Sequence, residues 1–70
     1  MVEIRAEMVG NVWKVVAAKG DRVADGDTIV ILESMKMEIP VLAEGSGQLV
    51  ELAVREGDTV QEGDLLAVIE

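Results

Sequence analysis

Few side chains in this 70-residue chain can do chemistry, because it contains no histidine and no cysteine. Zinc, iron–sulfur and haem sites are therefore almost excluded, as are nucleophiles activated by histidine. The amine of Lys36 stands out, since it lies between Met35 and Met37. An amine acts as a Schiff-base nucleophile only where it is desolvated, and a lysine in a turn is usually just a solvated charge. The elements that position Lys36 must decide between these interpretations.

The aspartates form a second candidate site. Asp21, Asp25 and Asp27 could suggest a calcium loop, but their spacing is not that of an EF-hand and no bidentate glutamate follows at the required distance. The surrounding sequence Gly-Asp-x-Val-x-x-Gly-Asp occurs twice in the chain. We therefore predict no metal site and expect turn chemistry, in which each aspartate bonds to the backbone two residues further on.

The chain contains an internal repeat. Residues 10–33 align without a gap with residues 47–70, and seven aligned positions are identical, including both Gly-Asp pairs and the valine between them. Each copy predicts a strand, a turn and a strand, with Val23 and Val60 filling the core beneath the turns. Neither copy can bury a core alone, but the two can do so when packed about a pseudo-twofold axis. We predict one all-β domain over residues 1–70, a flattened barrel or sandwich of two antiparallel sheets.

Alternation within the repeat indicates which side chains face the core. Apolar residues recur at every second position, which is typical of a half-buried strand. The positions expected to face inward are Val50, Leu52 and Val54 in the second copy and Trp13, Val15 and Ala17 in the first. Lys14 is expected to face outward, and Trp13 is interpreted as a core residue.

The segment between the copies, residues 34–46, has no counterpart in the repeat. It predicts a hairpin over residues 33–41 with a two-residue turn at Met35 and Lys36, and Pro40 suits an edge strand. Two-residue turns favour Asn-Gly or Asp-Gly, because both positions need positive φ. Met-Lys is a poor choice by this rule, and local rules tend to be broken at functional sites.

Composition limits the class of function. A chain of this length buries only about 60% of its unfolded surface, which favours a binding or carrier role over an enzyme with a deep active site. The net charge of −8 would repel phosphate backbones, so nucleic acid is not an expected partner. No apolar stretch reaches membrane-spanning length, and the N-terminal residues do not resemble a signal peptide. We expect a cytoplasmic protein without a membrane partner.

The sequence Glu33-Ser34-Met35-Lys36-Met37 closely resembles the E-[AS]-M-K-M signature of biotinyl domains, the carrier modules of biotin-dependent carboxylases. The two Gly-Asp passages, Pro40 and the final Ala-Val-Ile-Glu also match the family, so the resemblance covers essentially the whole chain. It implies the biotinyl/lipoyl-domain fold, a barrel-sandwich hybrid, with biotin bound covalently to Lys36. Met35 and Met37 would flank the site, Glu33 would belong to the motif, and no residue would be catalytic.

The resemblance also implies partners. Since a solvated lysine amine is almost wholly protonated near neutral pH, we expect that the chain does not acylate itself but is a substrate of biotin protein ligase. Biotin carboxylase and carboxyltransferase subunits would then use the attached biotin. The chain has neither a protruding loop near the hairpin nor the Ala-Pro-rich linker of some family members, and so resembles a free-standing carrier.

Three alternatives remain open at this point. A lipoyl carrier shares the fold, although lipoyl domains typically have Asp-Lys-Ala at the turn, where this chain has Met-Lys-Met. An unmodified interaction module could use the same scaffold. An enzyme with Lys36 as a Schiff-base nucleophile would need a pocket that desolvates the amine.

Overall fold

A computed structural model describes all 70 residues and contains eight strands. The strands are β1 (Val2–Arg5), β2 (Gly10–Val15), β3 (Arg22–Val23), β4 (Thr28–Ser34), β5 (Met37–Leu42), β6 (Gly47–Leu52), β7 (Thr59–Val60) and β8 (Leu65–Ile69). They form two four-stranded antiparallel sheets. We call the one ordered β5-β4-β2-β7 the hairpin sheet and the one ordered β1-β8-β6-β3 the opposite sheet. The structure contains no helix with the length and apolar character needed to span a bilayer.

A single apolar core lies between the two sheets. Ile29 and Leu32 enter it from the hairpin sheet, and Leu49 and Leu66 enter it from the opposite sheet; each is at most 1% exposed. Burying one such side chain contributes roughly 1.5–3 kcal/mol, and this burial holds the two sheets together. The predicted all-β architecture of two antiparallel sheets is confirmed.

The two sheets are related by a pseudo-twofold axis that covers more of the chain than the predicted repeat. An offset of 37 residues carries β2, β3 and β4 onto β6, β7 and β8, and it also carries β1 onto β5. The prediction that residues 34–46 have no counterpart is therefore wrong. The missed signal is the Ala-Glu pair at 6–7 and 43–44, where Ala6 and Ala43 are both buried.

A β-bulge in the hairpin sheet explains why Trp13 is not in the core. In the hairpin sheet Val12 pairs with Leu32 and Lys14 with Ile31, so that Trp13 is an extra residue without a partner. The same irregularity occurs at Val50 in the opposite sheet. Because a bulge resets the inward–outward alternation, Val12 and Leu49 occupy the buried places. Trp13 is 42% exposed, and the prediction that it fills the core is wrong.

The four Gly-Asp turns share one geometry. Each aspartate carboxylate accepts a hydrogen bond at 2.8–2.9 Å from the backbone N–H three residues earlier. The glycine before each aspartate has φ between 91° and 96°, as a type II turn requires at its third position. The aspartates therefore form turns as predicted, but they bond backwards along the chain instead of two residues onward. The aspartates concerned are Asp21, Asp27, Asp58 and Asp64. Val23 and Val60, which were predicted to fill the core beneath the turns, are buried.

Candidate functional site

The strands β4 and β5 hold the hairpin that carries Lys36. Their paired residues run from Leu32 opposite Ile39 to Ser34 opposite Met37, which leaves Met35 and Lys36 as a two-residue turn. Leu32 is buried in the core, so the base of the hairpin is anchored only a few residues from the turn. β5 is an edge strand, as the position of Pro40 predicts.

The backbone of the turn is strained. Met35 has φ of 53° and Lys36 has φ of 64°, and they are the only two residues other than glycine with positive φ. Positive φ at both central positions is the geometry of a type I′ turn, which matches the twist of the flanking strands. A left-handed conformation costs roughly 1–2 kcal/mol for a residue with a Cβ. The surrounding ladder therefore holds two unsuitable residues in a conformation that glycine or asparagine would adopt with less strain.

The side chains of the turn are free in solvent. Met35 is 92% and Met37 61% exposed, and Lys36 and Glu33 are also exposed. The Lys36 amine forms no hydrogen bond or ion pair, and the turn lines neither of the two surface grooves. A Schiff-base nucleophile needs a desolvated amine, so this geometry gives no support to that alternative. It leaves the amine accessible from solvent.

A glycine that sequence analysis did not single out supports the base of the hairpin. A Cβ placed on Gly10 would lie 2.9 Å from the carbonyl oxygen of Glu33 and 3.5 Å from the Cβ of Ser34. Only glycine lets β2 approach β4 this closely just below the turn. Gly10 is one of the seven identities of the repeat, and that was the signal available in the sequence.

The arrangement presents a primary amine that no neighbouring side chain binds by a hydrogen bond or an ion pair. The backbone of Lys36 is fixed by the ladder of β4 and β5, while its side chain extends into solvent. The nearest charged residues along the hairpin are Glu33 and Glu38, which are paired across the strands and are also exposed. The site therefore offers a primary amine at a fixed position on the hairpin, with a side chain that reaches into solvent.

The sequence profile of the Biotin_lipoyl family, described as "Biotin-requiring enzyme", matches residues 2–69 of this chain. The "Biotinylated protein TB7.3 homolog" of Mycobacterium leprae is 52% identical over 67 residues, which cover 96% of this chain and 94% of that protein. Matches to other curated relatives of that name cover 58% of their length.

Solved structures give the same picture. The urea carboxylase of Kluyveromyces lactis superimposes with a TM-score of 0.93 at 43% identity, over 99% of this chain and 6% of that enzyme. The lipoyl domain of the 2-oxoglutarate dehydrogenase complex from Azotobacter vinelandii superimposes with a TM-score of 0.84 at 32% identity, over 100% of this chain and 96% of that domain. This backbone is therefore common to part of a urea carboxylase and to a lipoyl domain.

Proposed function

Since this chain belongs to the biotin/lipoyl attachment family, whose members are carrier domains and not catalysts, we propose that it carries biotin bound covalently to Lys36. The observation that carries the proposal is the strained turn. Met35 and Lys36 are held at positive φ on a rigid hairpin, with the Lys36 amine exposed and unpaired. A turn built only for stability would favour Asn-Gly at these two positions.

Biotin is favoured over lipoate by two observations. The curated relative that matches nearly the whole chain is named as a biotinylated protein. At the turn, Met35 and Met37 flank the lysine with apolar, adaptable side chains. The lipoyl domain of Azotobacter vinelandii shares the backbone, so the distinction rests on the side chains around Lys36 and not on the fold.

The attachment is an acyl transfer that a biotin protein ligase must catalyse. The Lys36 amine, after losing a proton, attacks the carbonyl carbon of biotinyl adenylate. The C–N bond of the amide forms, the C–O bond to the phosphate breaks, and AMP leaves. The chain contributes the position of the amine, since its backbone is fixed by β4 and β5.

Once loaded, the carrier would act by proximity. The Lys36 side chain would hold biotin on a long arm, and the biotin would supply the group that accepts and gives up a carboxyl group in two active sites. Tethering replaces a diffusional encounter by a high effective concentration. The likeness to part of a urea carboxylase supports biotin carboxylase and carboxyltransferase partners for this chain.

Intact mass spectrometry tests the proposal. The purified protein is incubated with biotin protein ligase, ATP and biotin, alongside the Lys36→Arg variant, which keeps the charge but lacks an acylatable primary amine. We expect a mass gain of one biotin on the parent protein, mapped to Lys36, and no gain on the variant. An adduct on Lys14 or Lys19 would contradict the site, and a lipoyl adduct as the sole product in the native host would contradict the cofactor.

A further inference from the structure

The pseudo-twofold axis makes one sheet an internal control for the other. Residues 37 apart occupy equivalent places on the two outer faces, the faces that point away from the shared core. A difference between equivalent positions is not required by the fold, because the fold is the same at both. The outer faces differ sharply in the row that crosses their central strands.

Charged side chains cover the middle of the outer face of the opposite sheet. Val68 stands between Glu51 on β6 and Glu3 on β1, and both glutamates are exposed. Glu3 forms an ion pair of 2.8 Å with Arg5, and Val68 itself is only 8% exposed. This face therefore offers little contiguous apolar surface to a partner.

The equivalent row of the hairpin sheet has one charged residue, Lys14, where the opposite sheet has two. Ile31, the counterpart of Val68, lies between Lys14 and Pro40 and is partly exposed. The bulge adds Trp13, with the Lys14 amine 5.6 Å from its ring centroid. Leu42, 44% exposed, stands where the opposite sheet has Arg5. We call Trp13, Ile31, Pro40 and Leu42 the apolar face.

Two acidic residues lie between the apolar face and the turn. Glu33 and Glu38 lie on the same two strands between Ile31 and Lys36, and neither forms an ion pair. A surface that covers the apolar face and reaches Lys36 must cross this pair, so it should present cationic side chains there. An enzyme that holds an acyl adenylate beside Lys36 needs cationic groups for the phosphate, which complements the acidic pair.

We propose that the apolar face is the docking surface for the enzyme that acylates Lys36, an inference that rests on the proposed function. Ile31 lies three residues before Ser34, the last residue of β4, so it is roughly 10 Å along the strand from the base of the turn that carries Lys36. A typical interface buries about 800 Å² on each partner, which is wide enough to include both. Trp13 is the anchor of this surface, since aromatic residues dominate binding energy where they become buried on association.

Steady-state kinetics with purified biotin protein ligase test the proposal. The concentration of the unmodified protein is varied for the parent, for Trp13→Ser and for Val50→Ser, which changes the equivalent bulge residue of the opposite sheet. We expect Trp13→Ser to raise KM about tenfold with little change in kcat. Val50→Ser should stay within about twofold of the parent. Trp13→Phe should keep a KM close to that of the parent, because it retains an aromatic side chain at the anchor position.

Pro40→Glu provides a second variant that leaves the core untouched and installs the residue type found at the equivalent Glu3. It should raise KM in the same direction, and it decides the matter if Trp13→Ser fails to fold. Equal KM values for the parent, Pro40→Glu and Trp13→Ser would overturn the docking surface while leaving biotinylation of Lys36 intact. A parent protein that receives no biotin at all would overturn the proposed function and this inference together.

Discussion

Glu33 and Glu38 stand directly opposite each other across the hairpin, one residue pair below Ser34 and Met37. Like charges in this position are destabilising. We expect Glu38→Thr to raise the free energy of unfolding by about 0.5 kcal/mol in low salt, and the gain should shrink as salt screens the pair. Urea denaturation at two ionic strengths measures it. Glu51→Thr is the matched control, because Glu51 faces Val68 and not another acid. Equal gains from both variants would show that net charge alone is responsible.

The strain at Lys36 predicts that the attachment site is less stable than it could be. Lys36→Gly and Lys36→Ala both remove the amine, but only glycine accepts φ of 64° without a Cβ penalty. We expect the glycine variant to be more stable than the alanine variant by about 1 kcal/mol. Lys36→Ala itself should stay within about 0.5 kcal/mol of the parent. Thermal or urea unfolding of the three proteins measures the differences, and identical stability of the two variants would contradict the strain.

The position of the amine in the turn should matter more than its neighbours. Exchanging Met35 and Lys36 moves the amine by one residue and turns it to a different direction on the hairpin. We expect nearly complete loss of biotinylation by purified ligase. Met35→Leu should be modified more slowly but measurably, because it preserves volume and apolarity. If the exchanged variant reacts as fast as the parent, display by the turn is not what the ligase recognises.

The exposure of Trp13 changes what its removal should cost. Leu49 is fully buried, so Leu49→Ala should lower the free energy of unfolding by roughly 2–5 kcal/mol. Trp13→Ala should cost clearly less, about 1 kcal/mol, because much of the ring is already in solvent. Urea unfolding of the two variants gives the comparison. A loss from Trp13→Ala as large as that from Leu49→Ala would return Trp13 to the core.

Gly10 and Gly47 allow structural support of the hairpin to be separated from general stability. A Cβ on Gly10 would press on the carbonyl of Glu33, just below the turn, whereas a Cβ on Gly47 would press on the equivalent carbonyl of Glu70. Both alanine variants should therefore lose stability. Only Gly10→Ala should also slow the biotinylation of the folded protein. Rates measured at a temperature where both variants are folded test this, and equal slowing by both would contradict a local role for Gly10.

The sequence was sufficient to predict the architecture because the repeat contains residues with a strong preference for turns. Gly20 and Asp21, repeated as Gly57 and Asp58, mark the same turn twice, and the strands between such turns follow. The bulges at Trp13 and Val50 could not be predicted, since one extra residue in a strand leaves no mark in the composition. The prediction for Trp13 is wrong for this reason, since the inward–outward alternation does not continue through the irregularity.

The turn at Lys36 could be placed from sequence because the residues on both sides predict strands and leave only Met35 and Lys36 between them. Met35 and Lys36 are poor residues for positive φ, and the structure nevertheless places positive φ at both. The apolar face could not be predicted, because its residues lie far apart in the sequence. Pro40 and Trp13 belong to different strands of the hairpin sheet, on either side of β4. Only the register of β2, β4 and β5 places Lys14, Ile31 and Pro40 in one row, with the bulge residue Trp13 next to Lys14.

The pairing of β1 with β8 has a practical consequence for handling this protein. Val2 lies opposite Ile69, so residues 1 and 70 are neighbours. Ile69 also pairs with Leu49, and the Leu49 carbonyl accepts a hydrogen bond from the backbone N–H of Gly20. Gly20 follows β2 at the end of the molecule that is remote from the turn, so the termini lie at that end too. Affinity tags, fluorophores or fused proteins joined to either end will therefore be held away from Lys36, in a molecule 31 Å long. Immobilisation through the termini should leave the lysine accessible to an enzyme in solution.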